Sequence, residues 1–394
     1  MILAGGSFCL LFMKEFTERY KSYILYFFIY FPLGAVCPLI GQYLSSIGFT
    51  GTQVGVVTAF GTGAAVVGGM FWGRVYANSS RKRLVVTAMF LLSAASSLIS
   101  LAITGFLAYT FIYGVLYFNQ GPSHGLCDSM IMDKNENFPA VRACGAIGYA
   151  VAVFLCGQIA EFTGLRIAFY IHAEAFVIAG LMMRLFSEPV NYSKKQETGE
   201  AIKIRELFED KDFRWLLLFS FFALGPTMAH NTYFSYLYME AGGDIGGVGL
   251  AFLLMAGSEA PFMWLVPKLN KKISTEKLVL AAVVIGFIRF TLYGLGPSTG
   301  VLLGTFFLQG MLNGILLVEI VKYFGKIVPP RLSSLSVATY YSLGNSFPSI
   351  VCNLLGGVIM DMAGARGTYI FFAVLYVISF VLYLGLGLHK ERQV

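Results

Sequence analysis

GQIAEFTGLR at residues 157–166 and GVIMDMAGAR at residues 357–366 are two copies of one pattern, 200 positions apart (357 against 157). In each copy a glycine is followed four positions later by an acidic residue, then by a second glycine and by an arginine. Each copy also ends a long apolar run. Because a fixed internal repeat is the signature of a fold built from similar units, the chain is predicted to consist of two related halves.

The composition places both halves in a lipid bilayer. Of the 394 residues, 57% are hydrophobic and 12% are charged, which is about half the charged fraction of a typical soluble domain. This excludes a water-soluble enzyme, a nucleic-acid-binding protein and a disordered chain. The 6 cysteines form no CxxC pair and the 4 histidines have no ligand spacing, so the sequence predicts no disulfide framework, no metal site and no cofactor.

A helix that crosses a bilayer needs about 20 mostly apolar residues. By this measure the sequence predicts an all-α membrane protein with twelve transmembrane helices in two pseudo-symmetric bundles of six. The predicted spans are residues 21–46, 51–77, 84–103, 105–131, 143–161, 166–187, 213–239, 248–267, 276–296, 298–324, 333–360 and 367–388.

A polar stretch divides these spans into two sets of six. We therefore predict an N-terminal six-helix bundle at 13–187, a cytoplasmic linker at 188–211 and a C-terminal six-helix bundle at 212–394. Residues 1–12 are too short to cross the membrane and precede a more conventional start at Met13. We interpret them as an extension with no assigned function.

Lysine and arginine indicate the orientation. All but Arg166, Arg289 and Arg366 of the 28 lie in segments that are cytosolic if the N-terminus is cytosolic. Because cytosolic loops carry the excess of positive charge, both termini are predicted to lie in the cytosol, in a multi-pass protein of the plasma (inner) membrane. We expect a monomer surrounded by lipid, with no nucleic-acid partner.

Two further pairs of segments repeat. QGPSHG at 120–125 is matched by QGMLNG at 309–314, and Gly48, Val54 and Gly55 recur as Gly242, Val248 and Gly249. The copies run in the same direction, so the halves are parallel repeats related by an axis along the membrane normal. The expected consequence is a transporter with its binding site between the halves.

One motif resembles a known family. FPAVRACGAIGY at 138–149 is similar to an arginine–x–x–glycine–small–x–glycine–aromatic signature that opens the fifth helix in one group of transporters, and SEAP at 258–261 and Arg289 also fit that group. The whole chain thus resembles the major facilitator superfamily, in the group containing lactose permease, the nucleoside–proton symporters and the phenylpropionate permeases. It departs from lactose permease at Gln309 and Leu312, where that protein has a histidine and a glutamate used in proton coupling.

The fourth span carries a polar stripe. Spaced at about 100° per residue, the side chains of Tyr113, Tyr117, Gln120, His124 and Asp128 share one arc of the helix. Such a stripe would be costly facing lipid, which favours a substrate-binding face in a hydrated cavity, with Asp128 paired to Arg142. The structural alternative is a static Asp128–Arg142 ion pair near the cytosolic end.

Glu259 and Arg289 are charged residues in the middle of predicted spans eight and nine. A charge at the bilayer centre costs roughly 2.5–3.5 kcal/mol on insertion scales, so it persists where it is paired, hydrated or functional. The resemblance implies that Glu259 is a proton-binding or substrate-linked carboxylate and that Arg289 is the cation that tunes it. A static buried pair is the alternative.

The remaining candidates are weaker. Further substrate-binding candidates are Tyr30, Tyr149, His230, Tyr233, Gln309 and Asn313. Glu161, Asp361, Arg166 and Arg366 lie at outer helix ends and are interpreted as structural. Glu319 and Lys322 are expected to form a local ion pair.

The sequence therefore predicts a secondary active transporter rather than an enzyme. We favour proton-coupled symport of a small polar organic solute, a sugar or oligosaccharide, by alternating access. A nucleoside or aromatic-acid proton symporter and a proton-driven drug efflux antiporter are the alternatives.

Overall fold

The computed structural model describes residues 20–132, 138–186 and 204–388, and most of them are helical. In the first half the helices are α1 (Tyr20–Val36), α2 (Ile40–Ser46), α3 (Gly51–Asn78), α4 (Lys82–Ser100), α5 (Phe106–Met132), α6 (Phe138–Thr163) and α7 (Ile167–Met182). The linker helix α8 (Ile204–Glu209) precedes the second half, which has α9 (Lys211–Glu240), α10 (Ile245–Leu269), α11 (Thr275–Gly294), α12 (Thr299–Thr305), α13 (Phe307–Lys326), α14 (Ser333–Thr339) and α15 (Phe347–Gly385).

Prolines and glycines explain where these helices bend. α1 and α2 are bent by 43° at a short break that contains Pro38, because proline lacks the N–H that would continue the helix. The long helix α15 changes direction at Gly364, whose φ is 67°. The equivalent glycine of the first repeat, Gly164, also has a positive φ, 88°. A side chain is disfavoured in that conformation, so the second glycine of the repeated pattern is required by the turn.

The helices accommodate the predicted spans. Among the described residues, eight helices are long and apolar enough to cross a membrane, or nine if α1 and α2 form one bent span. α5 and α9 are outside that set although they have 27 and 30 residues, because their many polar side chains lower the mean hydropathy. The turn at Gly364 divides α15 into two crossings. The all-helical membrane fold predicted from the sequence is confirmed.

The repeat is visible in the packing. In the first half α3 contacts α5, and α4 contacts α5 and α7. In the second half α10 contacts α13, and α11 contacts α13 and α15. These helix pairs are equivalent under the sequence repeat, so each half buries its apolar surface in the same way.

In the part of the chain that the structure describes, the main seams between the halves are α3 with α15, α6 with α10, and α2 with α9. We call the side of the molecule that carries α8 the linker face, and the opposite side, with the turns at Gly164 and Gly364, the far face. The seams contain contacts close to the far face, for example a 2.7 Å hydrogen bond from the Tyr236 hydroxyl to the Gly41 carbonyl. The halves are therefore in contact at the far face.

Candidate functional site

A cavity of about 630 Å³ lies between the two halves. Its first-half wall comes from α1, α3 and α5 and includes Thr62, Tyr117, Gln120 and His124. Its second-half wall consists of Tyr341, Ser342 and Ser346. α3 and α5 both run from the far face to the linker face, and the lining residues come from their middle and later turns. The cavity thus lies towards the linker face.

The polar stripe of the fourth span reaches this cavity. Tyr117, Gln120 and His124 all line it, and the rings of Tyr30 and His124 lie 4.6 Å apart at their centroids. Two of these side chains also form hydrogen bonds with groups outside the cavity. Gln120 Oε1 accepts a 2.9 Å hydrogen bond from Nε2 of the buried His172, and His124 Nε2 lies 3.1 Å from the backbone carbonyl of Ile29.

Asp128 continues the stripe but takes part in an ion pair. The Arg142 guanidinium donates to the Asp128 carboxylate, and the Tyr26 hydroxyl donates to the same carboxylate at 2.6 Å. The Arg142 guanidinium also lies 5.5 Å from the centre of the Tyr30 ring. Through Tyr30 this cluster contacts His124, so the ion pair is continuous with the cavity wall.

The second-half wall was not predicted from the sequence. Tyr341, Ser342 and Ser346 all lie in a π-helical segment, Tyr340–Ser346, between α14 and α15. A π-helix has i→i+5 hydrogen bonding, so residues five apart, such as Tyr341 and Ser346, lie on one face. Ser346 Oγ donates to the Tyr341 carbonyl at 3.0 Å, and Tyr341 is 48% exposed. Sequence patterns based on 3.6 residues per turn do not detect this arrangement.

A second polar group lies within the second half. Asn313 Nδ2 donates to Glu259 Oε2 at 3.4 Å, and Gln309 Nε2 donates to Asn313 Oδ1 at 3.2 Å. The Arg289 guanidinium in turn donates to Gln309 Oε1. The amides of Gln309 and Asn313 are therefore oriented alike. Each accepts a hydrogen bond on the side nearer Arg289 and donates one on the side nearer Glu259.

Arg289 is fully buried and continues this chain away from Glu259. Its Nη2 donates to His230 Nε2 at 2.8 Å. Because arginine has no acceptor, Nε2 must accept, and the proton of the neutral ring is on Nδ1, which donates to the Tyr369 hydroxyl at 2.5 Å. Arg289 also donates to the Tyr293 hydroxyl at 3.2 Å.

These contacts correct the expected direct pair of Glu259 and Arg289. No ion pair joins them in the described structure, because Asn313 and Gln309 stand between the two charges.

Two expected cavity residues lie elsewhere as well. His230 is buried against Arg289, and Tyr233 is buried with its hydroxyl donating to the Asn353 carbonyl at 2.5 Å. Neither lines the cavity of about 630 Å³. Tyr149 is partly buried and packs against the hydrophobic core.

The expected Glu319–Lys322 ion pair is present, at 2.8 Å. Asn270 Nδ2 also donates to Glu319, at 2.7 Å. This pair is separate from the residues of the cavity wall.

The sequence profile of the MFS_1 like family matches residues 20–371, which is most of the chain. The chain belongs to the MFS_1 like family. As a member of this family it is a major facilitator superfamily transporter and not an enzyme, and the resemblance found in the sequence is confirmed. It is a multi-pass membrane protein that takes a small molecule as its substrate.

Relatives of this family member extend over nearly the whole chain. It is 29% identical over 376 residues to the maltose permease of Geobacillus stearothermophilus, covering 94% of each chain. It is 22% identical over 369 residues to the sucrose permease of Escherichia coli, covering 88% of each. The crystal structure of the nucleoside transporter NupG superimposes with a TM-score of 0.82 at 19% identity, over 95% of this chain and 100% of that one. At that identity the structural likeness shows the fold alone.

Proposed function

We propose that this transporter is a proton-coupled symporter of a sugar or oligosaccharide. It works by alternating access between residues 13–187 and 212–394, with the linker face in the cytosol. The observation that carries this proposal is the cavity of about 630 Å³, whose walls come from both halves and include polar and aromatic side chains. A site between two repeats is where a transporter of this architecture binds its substrate.

The wall chemistry favours a polyhydroxylated solute. The hydroxyls of Thr62, Ser342 and Ser346 donate to backbone carbonyls and offer their lone pairs as acceptors. The amide of Gln120 and the imidazole of His124 add further polar groups, while Tyr117 and Tyr341 offer flat apolar faces. Sugar rings present hydroxyls at their edges and apolar C–H groups on their faces, so this mixture suits both. Small-molecule sites typically have volumes of about 300–1,000 Å³, and the cavity lies within that range. The names of the maltose and sucrose permeases support the same substrate class.

Glu259 is the proposed proton site. Its carboxylate is the acceptor at the end of the amide chain from Arg289. Protonation of Glu259 would remove the negative charge that the Asn313 amide donates to and so weaken the link between the carboxylate and the buried cation. A proton can thereby change the contacts among α10, α11 and α13, which is what coupling to a conformational change requires.

Uptake into proteoliposomes tests this proposal. Purified protein is reconstituted, an inside-alkaline pH gradient is imposed, and entry of radiolabelled maltose, sucrose, uridine and 3-phenylpropionate is followed. We expect accumulation of a disaccharide that a protonophore abolishes. Accumulation of uridine or 3-phenylpropionate instead would overturn the sugar assignment but retain symport. Exchange of a hydrophobic cation against protons, with none of the four accumulated, would favour the drug antiporter.

A further inference from the structure

Asp361 crosses the seam between α15 and α3 at the far face. Its Oδ1 accepts a hydrogen bond from the Gly51 backbone N–H at 2.6 Å. Its Oδ2 accepts from the Thr52 backbone N–H at 2.8 Å and from the Thr52 hydroxyl at 2.5 Å. A carboxylate of the second half thus covers the first two N–H groups of a 28-residue helix of the first half.

Glu161 makes the equivalent contact across the seam between α6 and α10. Its Oε2 accepts from the backbone N–H groups of Ile245 and Gly246, at 2.8 and 3.2 Å. These are the first two residues of the 25-residue helix α10. Here a carboxylate of the first half covers the start of a helix of the second half.

The two contacts are related by the sequence repeat. Glu161 and Asp361 are the acidic residues of the two repeated patterns, and α3 and α10 are equivalent helices. In both helices the third N–H is satisfied by the helix's own cap. Gln53 N donates to Thr50 Oγ1 at 3.2 Å, and Gly247 N donates to Asp244 Oδ1 at 2.6 Å. At the start of each helix, two N–H groups are therefore not bound by the helix's own cap. In each case these two groups donate to one carboxylate from the other half.

These contacts can form only while the seams are closed. A Cβ on Gly249 would lie 2.9 Å from the Val153 carbonyl oxygen, and one on Gly55 would lie 2.3 Å from that of Asn353. Glycine at both positions lets the helix backbones approach closely. Separation of the halves at the far face would remove both carboxylates from the helix starts, where the positive end of the helix dipole stabilises a negative charge.

We propose that Glu161 and Asp361 form a two-part clasp that holds the far face shut. Both residues were interpreted from the sequence as structural ends of helices, whereas here each bridges the two halves. The inference rests on the alternating-access part of the proposed function. The clasp would set the balance between the state with the far face closed and the state with the far face open. It requires no particular substrate.

Distance measurement by double electron–electron resonance tests the clasp. Spin labels are attached to Ala102→Cys and Leu295→Cys in a variant whose native cysteines are replaced. Ala102 is exposed on the turn after α4 and Leu295 is 75% exposed on the turn after α11, so each half carries one label on its far face. Asp361→Ala and Glu161→Ala are introduced singly and together, and Asp361→Asn and Glu161→Gln serve as variants that preserve side-chain shape.

Loss of one helix-end acceptor is expected to lower the ratio of short to long distances about fivefold. Loss of both is expected to lower it about 25-fold, because separate contacts act additively. The asparagine and glutamine variants should shift the ratio less, in the same direction. The matched control is Glu240→Ala. Glu240 also accepts from a far-face backbone N–H, that of Ala365 at 2.9 Å, but within one half.

An unchanged distance distribution in the double variant would overturn the clasp. An equal shift in Glu240→Ala would do the same, because it would indicate general loosening rather than release of the seams. If wild-type protein accumulates none of the test substrates while the clasp variants still shift the distances, the transport assignment fails and the clasp stands.

Discussion

Asn313 and Glu259 are joined by a 3.4 Å hydrogen bond in which the amide donates to the carboxylate. The next members of the chain, Gln309 and then Arg289, are oriented the same way. The buried cation therefore acts on the carboxylate through two amides rather than by direct contact. In this arrangement Glu259 Oε2 accepts one long hydrogen bond, from Asn313. The carboxylate can therefore be protonated without breaking an ion pair.

Replacement of Glu259 by glutamine should uncouple transport. The amide keeps the size of the side chain and stays neutral at every pH, so the cycle loses its proposed titrating group. We expect loss of uphill accumulation with substrate exchange retained, measured by gradient-driven uptake and by counterflow. Glu319→Gln is the control, because its carboxylate pairs with Lys322 outside the cavity. Unchanged accumulation in Glu259→Gln would remove Glu259 from the coupling role.

Replacement of Arg289 by lysine should destabilise the protein. The guanidinium donates to Gln309, His230 and Tyr293 from three different nitrogens. A lysine ammonium carries its three donors on one nitrogen and cannot reach all three acceptors from there. Buried groups left without a partner cost about 1–3 kcal/mol each, so the thermal unfolding temperature in detergent should fall by several degrees. Arg74→Lys, at an exposed position on α3, should leave it unchanged. Equal unfolding temperatures in the two variants would contradict the network.

Tyr341 is expected to contact the substrate through its ring. Tyr341→Ala should raise the apparent KM for uptake about fivefold, whereas Tyr341→Phe should stay near wild type, because aromatic contacts of this kind contribute about 1 kcal/mol. Tyr170→Ala is the control, since Tyr170 is 51% exposed and Tyr341 is 48% exposed, but Tyr170 does not line the cavity. A wild-type KM in Tyr341→Ala would exclude the π-helical segment from substrate binding.

Arg142→Lys distinguishes a functional from a purely structural ion pair. Lysine keeps the charge but loses the planar fork, so the geometry around Asp128, Tyr26 and Tyr30 should loosen. We expect a several-fold weaker apparent affinity for substrate at normal expression. Arg331→Lys is matched to it, because Arg331 pairs with Glu206 at 3.0 Å outside the cavity. Wild-type affinity in Arg142→Lys would make the Asp128–Arg142 pair structural only.

The fold was predictable because it depends on sequence patterns that extend over many residues. Apolar runs of membrane length and a repeat at 157–166 and 357–366 indicate an all-helical membrane fold built from two related halves. The polar stripe of α5 was predictable in part: Tyr117, Gln120 and His124 line a cavity, whereas Tyr113 is buried and does not line it. Helical periodicity shows which side chains share a face of the helix. Because polar side chains are costly next to lipid, that face is expected to lie against a cavity or another helix.

The partners of the polar side chains were less predictable. Periodicity cannot show that two amides separate Glu259 from Arg289, because that depends on how α10, α11 and α13 pack. The position of Tyr341 depends on a local π-helix, which interrupts the periodicity that the prediction uses. Glu161 and Asp361 showed their repeat in the sequence, but their partners at the starts of α10 and α3 lie in the other half of the chain.

Proton symport through Glu259 can be measured with a pH electrode in a suspension of de-energised vesicles that contain the protein. Disaccharides, then nucleosides and aromatic acids, are added in turn to a lightly buffered suspension without an imposed gradient. We expect addition of a disaccharide to make the medium more alkaline, because substrate and proton enter together. This change of pH should be absent from vesicles that contain Glu259→Gln. Disaccharide entry with no change of pH, or an equal pH change in the Glu259→Gln vesicles, would contradict proton symport through this carboxylate.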